Sequence, residues 1–293
     1  MTSDVEDCRM EPGEYLSRIV YEGGTEPTLE NLKAMHRCHV LAVPFGSLAI
    51  HCGEPIQLSL PDVYRKVVVH RRGGFCYELN GLFAWLLGAL GYGVQMLSGR
   101  VRNSYTGCLG PLDDHLLLLV TVVGEGGHPW LCDVGFGNSF RSPLPLRDGL
   151  LERQENGLFQ LQQAAGEGGG WQLRRYPSSS SGPTDEPGAT LYTFSTRPRA
   201  WRDFEGMCCY HQTSPSSIFA CKSFCSLQLP GGLVSYVGQR LIETQFTAQG
   251  DCKTTTVLAE EDIPRVLRDR FGIVLRNRLT PKDEDILPPR EGP

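Results

Sequence analysis

The apolar residues of the N-terminal third recur at spacings of three and four, a pattern typical of amphipathic helices. Residues 25–45 predict one such helix, and Pro44 is expected to end it. A second helix is predicted to begin at Cys76 and to end at Gly91. Its apolar face is formed by Leu79, Leu82, Phe83, Leu86, Leu87 and Leu90. The region up to about residue 92 is therefore expected to be mostly helical.

Strand patterns dominate the rest of the chain. Apolar and β-branched runs bounded by turn residues predict strands over 94–97, 116–123, 130–134, 224–229, 233–246 and 252–258. The acidic residues and proline of 260–264 then predict the start of a last helix, and Gly272 its end. Helical and strand patterns in different parts of the chain indicate the α+β class.

Residues 163–190 have low complexity. Glycines dominate the first part of this stretch, and Ser178 to Ser181 and two prolines dominate the second. Such a composition does not favour a packed element. We expect an exposed insertion between two folded parts that is dispensable for the chemistry.

An aspartate interrupts the apolar strand pattern of residues 130–134. If 116–123 folds back on this strand as a hairpin with Asp133 opposite Leu117, Asp133 lies diagonal to His115 on the same face. Diagonal neighbours are about 7–8 Å apart, within reach of a bond between imidazole and carboxylate. A slip of one residue would place them on opposite faces. An edge histidine and a turn-proximal aspartate with no mutual contact are the alternative.

Cys76 has the surroundings of a reactive cysteine. It follows Gly73-Gly74 and lies near a predicted helix N-terminus, where free N–H groups and the helix dipole favour a thiolate. Arg71 and Arg72 add positive charge nearby. The alternative is a buried cysteine that only opens a core helix.

Cys76, His115 and Asp133 can act together as a nucleophile, a base and an orienting acid. The imidazole would take the thiol proton, and the carboxylate would fix the imidazole tautomer and support its positive charge. The thiolate would then attack an activated carbonyl and form an acyl-enzyme. These residues by themselves predict acyl transfer or hydrolysis, and a thiol hydrolase of the papain or transglutaminase type stays open.

Composition and net charge limit the classes of binding partner and the cellular compartment that are expected. A net charge of -5 argues against nucleic acid as the main partner. The acidic, polar residues 1–7 do not resemble a signal peptide, so a cytoplasmic protein with mostly free thiols is expected. Paired Cys-x-x-Cys spacings are absent from the sequence, and no metal is predicted. Residues 79–99 carry no charge, but their glycines favour a buried helix and strand over a membrane span.

Several segments resemble the arylamine N-acetyltransferase family of the vertebrate type. Residues 72–80, Arg-Gly-Gly-Phe-Cys-Tyr-Glu-Leu-Asn, resemble the nucleophile motif of the family in full. Val43-Pro44-Phe45 is similar to the segment after an early helix carrying histidines. His115 and Asp133-Val134-Gly135-Phe136-Gly137 resemble the histidine and aspartate positions, and Gln212-Thr213-Ser214-Pro215 resembles part of the third domain.

The resemblance implies a fold and a reaction. The fold would comprise an N-terminal helical bundle (1–92), a central β-barrel (93–200) and a C-terminal α/β lid (201–293), with a papain-like Cys-His-Asp triad. The reaction would be acetyl transfer to arylamines, arylhydrazines or N-hydroxyarylamines in xenobiotic metabolism, by a ping-pong route through an acetyl-cysteine. Acetyl-CoA would be a substrate rather than a permanently bound cofactor.

The resemblance also implies roles for further residues. The acceptor pocket would be lined by Phe45, Phe136, Asn138 and Phe140. The path of coenzyme A would be lined by Thr106, Gly107, Tyr210 and Ser216.

One departure from the family pattern concerns Arg72. After proline and phenylalanine the family usually has Glu-Asn, and that glutamate faces the arginine, whereas this chain has Gly46-Ser47. Arg72 therefore needs another partner, and Glu78 is the candidate.

Overall fold

The structure, a computed structural model, describes residues 9–103, 107–122, 126–164, 170–176, 182 and 188–287. Its first part is helical, as the spacing of apolar residues predicted. The helices of this part are α1 (Pro12–Arg18), α2 (Leu29–Ala42), α3 (Leu48–His51), α4 (Leu60–Tyr64), which continues as a π-helical turn over Arg65–Val69, and α5 (Cys76–Ala89). The start of α5 at Cys76 is the predicted one.

The strands and the remaining helices follow in chain order. The strands are β1 (Phe45–Gly46), β2 (Gly93–Val101), β3 (His115–Thr121), β4 (Trp130–Cys132), β5 (Leu144–Pro145), β6 (Leu151–Gln154), β7 (Gly157–Gln163), β8 (Trp171–Tyr176), β9 (Ala189–Arg199), β10 (Phe224–Leu229), β11 (Gly232–Val237), β12 (Arg240–Thr247) and β13 (Gly250–Val257). The helices are α6 (Glu205–Thr213), α7 (Ile218–Cys221) and α8 (Ile263–Phe271), with 3-10 turns at Trp201–Phe204 and Glu260–Asp262.

Two antiparallel sheets organise the strands. An eight-stranded sheet in the order β5-β4-β3-β2-β9-β8-β7-β6 forms a nearly closed barrel. A five-stranded sheet in the order β1-β10-β11-β12-β13 lies in the C-terminal part. The predicted α+β class with a helical first part, a barrel and a mixed last part is confirmed. Among the described residues, no helix has the length and apolar character needed to cross a membrane.

Helix α5 is the central helix of the molecule. Its predicted apolar face is buried, and the helix packs against β2 and β3 of the barrel. Because α5 is wrapped by the other helices and the barrel, its first residue Cys76 is held between these two parts of the fold.

Two expectations about secondary structure were wrong. Strand β8 lies inside 163–190 and pairs with both β7 and β9, with Leu173 buried, so this stretch does contain a packed element. Alternation of Trp171, Leu173 and neighbouring polar residues supplies the strand pattern that the surrounding glycines and serines obscured. The predicted strand 233–246 is two strands, β11 and β12, separated at Gly238.

The positions of the strands can be compared with the predicted domain limits at residues 92 and 200. All strands from β2 to β9 fall between residues 93 and 199. The short strand β1 pairs with β10, so the N-terminal part supplies the edge of the C-terminal sheet. The limits at residues 92 and 200 stay predictions.

Candidate active site

Cys76 is the first residue of α5, and its side chain is buried. The loop before it is held to the segment after α2, because the amide of Gly74 donates to the carbonyl oxygen of Pro44 at 3.2 Å. In the first turn of α5, a carboxylate oxygen of Glu78 accepts a hydrogen bond from the amide of Phe75 at 3.2 Å. These bonds fix the backbone on both sides of the thiol.

The pairing of β3 with β4 brings His115 and Asp133 together. Leu118 lies opposite Cys132, which is the register that places Asp133 at the level of Leu117. His115 Nε2 lies 2.8 Å from Asp133 Oδ2, and both side chains are buried. The predicted register and the predicted contact are therefore confirmed.

The carboxylate of Asp133 is buried but well supplied with donors. Asn80 Nδ2 donates to Asp133 Oδ1 at 2.9 Å, and the amide of Gly135 donates to the same oxygen at 3.1 Å. Burial alone would raise the pKa of Asp133, but the charge and hydrogen bond of His115 and these two donors hold that pKa below its ordinary value. Asp133 is therefore ionised at neutral pH.

The ring of His115 also lies within interaction range of the side chain of Cys76. Burial lowers the pKa of His115, whereas the charge and hydrogen bond of Asp133 and the interaction with Cys76 raise it, and the net pKa is about 10. The surroundings thus favour an imidazolium beside the sulfur, as a thiolate–imidazolium pair requires.

Cys76 and His115 lie on the wall of a cavity of about 540 Å³. Aromatic side chains that line it are Phe45, Phe136, Phe219 and Phe224. A concave, mostly apolar space with a few polar groups suits a small organic ligand. Within the described ranges, His, Cys, Asp and Glu side chains form no cluster of three or more that could hold a metal ion.

Comparison with known proteins decides the family. The family model described as N-acetyltransferase matches residues 28–280. Arylamine N-acetyltransferase 1 of Homo sapiens is 36% identical over 286 residues, which are 92% of this chain and 97% of that protein. The chain belongs to the arylamine N-acetyltransferase family. It is therefore an acyltransferase, and its reaction class is acetyl transfer.

Other relatives support the same family assignment. The pineal gland isozyme NAT-10 of Gallus gallus is 34% identical over 283 residues, or 92% of this chain and 96% of that one. The solved enzyme of Nocardia farcinica has a TM-score of 0.81 at 32% identity, covering 92% of both chains. The Mycobacterium marinum enzyme in complex with CoA has a TM-score of 0.78 at 30% identity, covering 90% of this chain and 93% of that chain.

Two residues expected in the acceptor pocket of this arylamine N-acetyltransferase lie elsewhere. The chain turns at Gly137, which has a φ of 84°, and the loop then enters the core. Phe140 is fully buried there with its ring stacked on His36, and Asn138 is half-buried away from the cavity wall. The assignment of Asn138 and Phe140 to the pocket is thus corrected. Phe45 and Phe136 do lie on the cavity wall, and their role stays a prediction.

Of the residues expected along the path of coenzyme A, only some line the cavity. Tyr210 and Ser216 lie on the cavity wall. Gly107 is exposed and lies outside this wall, and Thr106 lies outside the described residues. Coenzyme A contacts of these residues stay predictions.

Arg72 has a partner that the sequence did not indicate. Its Nη1 lies 3.1 and 3.0 Å from the two carboxylate oxygens of Glu54. Glu78 instead accepts a hydrogen bond from Lys66 Nζ at 2.6 Å. The expected pairing of Arg72 with Glu78 is therefore wrong, because Lys66 of the π-helical turn forms the ion pair with Glu78.

The backbone around Gly46 leaves no space for an acidic side chain at that position. A Cβ atom there would lie 2.3 Å from the carbonyl oxygen of Phe224 and 2.7 Å from the Cα of Cys225. The close pairing of β1 with β10 leaves no room for a larger side chain, so the acid that binds Arg72 comes from residue 54 instead.

Sequence reasoning missed the residues that support Asp133. Asn80 Nδ2 also donates to the carbonyl oxygen of Leu116 at 2.7 Å, while Asn80 Oδ1 accepts from the amide of Val134 at 2.9 Å. Asn80 thus ties α5 to β3 and to the loop that follows β4. A usable signal was present, because an amide one turn after Cys76 on an apolar helix must find partners when buried.

Gly135 brings the loop after β4 against the nucleophile. A Cβ atom on Gly135 would lie 2.8 Å from the Cα of Cys76 and 2.8 Å from Asn80 Nδ2. Only glycine therefore allows this approach, which also brings the amide of Gly135 to the carboxylate of Asp133.

His211 on α6 is a further wall residue without a sequence signal. Its Nδ1 lies 2.9 Å from Ser217 Oγ, and its Nε2 lies 3.2 Å from the carbonyl oxygen of Asp114. The ring packs edge-on to Phe219 with 4.9 Å between centroids. His211 therefore joins the C-terminal part to the loop before His115.

Proposed function

We propose that this enzyme moves the acetyl group of acetyl-CoA to an arylamine, arylhydrazine or N-hydroxyarylamine through an acetyl-Cys76 intermediate. The observation that carries the proposal is that His115 is hydrogen-bonded to the carboxylate of Asp133 and lies with Cys76, with which it interacts, on the wall of one aromatic cavity. The relatives support the substrate classes, since they are named arylamine N-acetyltransferases and one was solved with CoA.

In the first half-reaction, His115 holds the proton of Cys76 as an imidazolium, and Cys76 reacts as the thiolate. The thiolate attacks the acetyl carbonyl carbon, and the tetrahedral intermediate collapses by breaking the bond to the sulfur of coenzyme A. The departing thiolate receives the proton from His115 and leaves as the free thiol. Asp133 stabilises the imidazolium that exists between these steps.

In the second half-reaction, the acceptor nitrogen attacks the thioester carbonyl of acetyl-Cys76. The carbon–sulfur bond breaks, the Cys76 thiolate leaves, and the proton of the nitrogen passes to His115. The amide product departs, and the enzyme returns to its starting thiolate–imidazolium state. Because coenzyme A leaves before the acceptor reacts, both substrates use one cavity in turn, which is a ping-pong order.

The cavity offers places for both substrates. Phe45 and Phe136 lie on the same wall as Cys76 and supply ring faces for an aromatic acceptor. Tyr210 and Ser216 line the same cavity and supply hydroxyl groups for the coenzyme A chain. We assign the acceptor to the first pair and the donor to the second.

A reducing compartment suits this chemistry. Cys76, Cys132 and Cys208 are among the free thiols in the part of the chain that the structure describes. An oxidised nucleophile would be inactive, so we place the enzyme in the cytoplasm, where thiols are kept reduced. Acetylation of foreign aromatic amines is the metabolic role that this assignment supports.

Mass spectrometry after incubation with acetyl-CoA alone tests the proposal. We expect one acetyl group on a peptide containing Cys76, and its loss to aniline, an aryl hydrazine or an N-hydroxyarylamine added afterwards. Cys76→Ala is the control and should carry no acetyl group. A thiol hydrolase would release acetate or cleave peptide bonds without passing the acetyl group to an amine, and that result would overturn the proposal.

A further inference from the structure

His36 on α2 joins the two ends of the loop that leads from β4 towards β5. Its Nε2 accepts a hydrogen bond from the amide of Asp133 at 3.1 Å, and its Nδ1 lies 2.9 Å from the carbonyl oxygen of Arg141. The side chain is fully buried. The loop between the two contacts carries Phe136, which lies on the cavity wall.

These backbone partners define the tautomer of His36. A carbonyl oxygen only accepts, so Nδ1 carries a proton, and an amide only donates, so Nε2 carries none. Burial lowers the pKa of His36 to about 4, so the ring is neutral at physiological pH. The neutral ring satisfies both partners, whereas a protonated ring would direct an N–H group at the amide of Asp133.

Aromatic neighbours hold the ring in one orientation. Phe140 stacks on it with 5.5 Å between centroids and 14° between planes. Phe83 packs edge-on at 6.1 Å. Because Phe83 belongs to α5 and Phe140 to the loop after Asp133, His36 is clamped between the helix that begins at Cys76 and the loop that begins at Asp133.

We infer that His36 is a positioning residue that holds the backbone of Asp133 and thereby aims its carboxylate at His115. The inference rests on the proposed function, since it gives His36 a part in the acylation of Cys76. His36 does not touch the reacting atoms and acts through Asp133, whose Oδ2 lies 2.8 Å from His115 Nε2. A displacement of about 1 Å in such a group can cost roughly 10²-fold in rate.

Three substitutions separate the two hydrogen bonds of His36. Glutamine can place an acceptor where Nε2 lies and keep the bond to Asp133. Asparagine can place a donor near Nδ1 and keep only the bond to Arg141. Phenylalanine keeps the ring packing and neither bond. We expect His36→Gln to acetylate Cys76 within a few-fold of wild type, and His36→Asn and His36→Phe to lose about 10²-fold.

The pH profile of Cys76 alkylation by iodoacetamide gives a readout that a loss of stability alone would not move. From about pH 5 to about pH 9, the wild type and His36→Gln should alkylate with the profile of a thiolate–imidazolium pair. The Asn and Phe variants should shift towards the profile of an ordinary thiol. This measurement needs no acetyl donor, so it tests His36 even if the wild type fails to take an acetyl group and the proposed function falls.

His39 supplies the matched control. It lies one turn later on α2, is fully buried, contacts Phe83, and forms its hydrogen bond with the hydroxyl of Tyr15. We expect His39→Asn and His39→Phe to lower the unfolding midpoint but to leave the alkylation profile unchanged.

The outcomes are distinct. Wild-type profiles in folded His36→Asn and His36→Phe would overturn the inference, and so would the same shift in the His39 variants. If His36→Asn cannot be purified, the rate of Cys76 acetylation in His36→Gln must still exceed the rate in His36→Phe. Equal rates in these two variants overturn the inference. If neither His36→Asn nor His36→Phe folds, the alkylation profile of His36→Gln decides: the wild-type profile supports the inference, and the profile of an ordinary thiol overturns it.

Discussion

Arg72 is buried, and its guanidinium contacts both carboxylate oxygens of Glu54 at 3.1 and 3.0 Å. Removing the acid leaves a buried cation without a counter-charge, which costs about 3–5 kcal/mol in a fully buried pair. Glu54 keeps a quarter of its side chain exposed, so solvent screens part of this energy. We expect Glu54→Gln to lower the free energy of unfolding by about 2 kcal/mol.

A double-mutant cycle checks this expectation by urea unfolding. Arg72→Met and the double variant complete the cycle, and the two changes should be less than additive because each removes the same contact. Additive losses would mean that the two side chains do not interact in solution.

Substitution of the proposed nucleophile should abolish acetyl transfer without unfolding the chain. Cys76→Ala removes a single sulfur from a buried site, so the circular dichroism spectrum and unfolding transition should stay close to wild type, while Cys76 acetylation and product formation disappear. In the wild type, Cys76 should react with iodoacetamide faster than the other cysteines near neutral pH, because the thiolate fraction sets the rate. Peptide mapping identifies the labelled site, and residual turnover in Cys76→Ala would contradict the assignment.

Asp133→Asn should impair acylation deeply. The amide keeps the size of the carboxylate but can favour the wrong imidazole tautomer, and the equivalent change in a serine protease costs about 10⁴ in turnover. The loss here is expected to be smaller, since a thiol ionises more readily than a serine hydroxyl. The rates of Cys76 acetylation and alkylation, measured from about pH 5 to about pH 9, should both be lower in Asp133→Asn than in the wild type. Wild-type rates throughout this range would remove Asp133 from the mechanism.

Acid should destabilise the fold through the two histidines of α2. Burial lowers the pKa of His36 to about 4 and that of His39 well below its ordinary value. Below about pH 6.5 the unfolded chain takes up protons that the folded chain does not, so stability is present above that pH and is lost as the pH falls towards the folded value. For His36 alone the loss is up to about 3 kcal/mol.

Urea unfolding between about pH 4 and about pH 7 measures this slope. His39→Phe removes one of the two groups and should make the slope shallower, whatever it does to stability at neutral pH. An unchanged slope would assign the acid sensitivity to other groups.

Deletion of residues 166–186 should prevent folding, because it removes β8 from between β7 and β9. A milder change isolates the packing contribution. Leu173 of β8 is fully buried, and Leu173→Ala should cost about 2–5 kcal/mol from lost burial and the cavity left behind. Thr190→Ala, on the neighbouring strand β9 and half-buried, is a control expected to cost less than about 1 kcal/mol. Equal effects of the two changes would argue that β8 does not pack as described.

Local patterns in the amino-acid sequence determined much of this protein by themselves. The spacing of apolar residues was enough for α5 and its start at Cys76, because one helix face must meet the core. The hairpin pattern of β3 and β4 predicted the meeting of His115 and Asp133 for one register, with Asp133 opposite Leu117, and the structure adopts that register rather than one shifted by a residue, which would put them on opposite faces. The motif around Cys76 pointed to the family because its residues are consecutive and can be read without knowing the fold.

Only the tertiary structure decided which distant residues meet. The bond from His36 to Asp133 spans 97 positions, and the bonds from Arg141 to the turn after β10 span about as many. The choice of Glu54 over Glu78 for Arg72, and the burial of Phe140 outside the cavity, depend on how loops pack across the barrel and the helices. Periodicity reports which face of an element is buried, but not what covers that face, because long-range packing is settled by the whole fold at once.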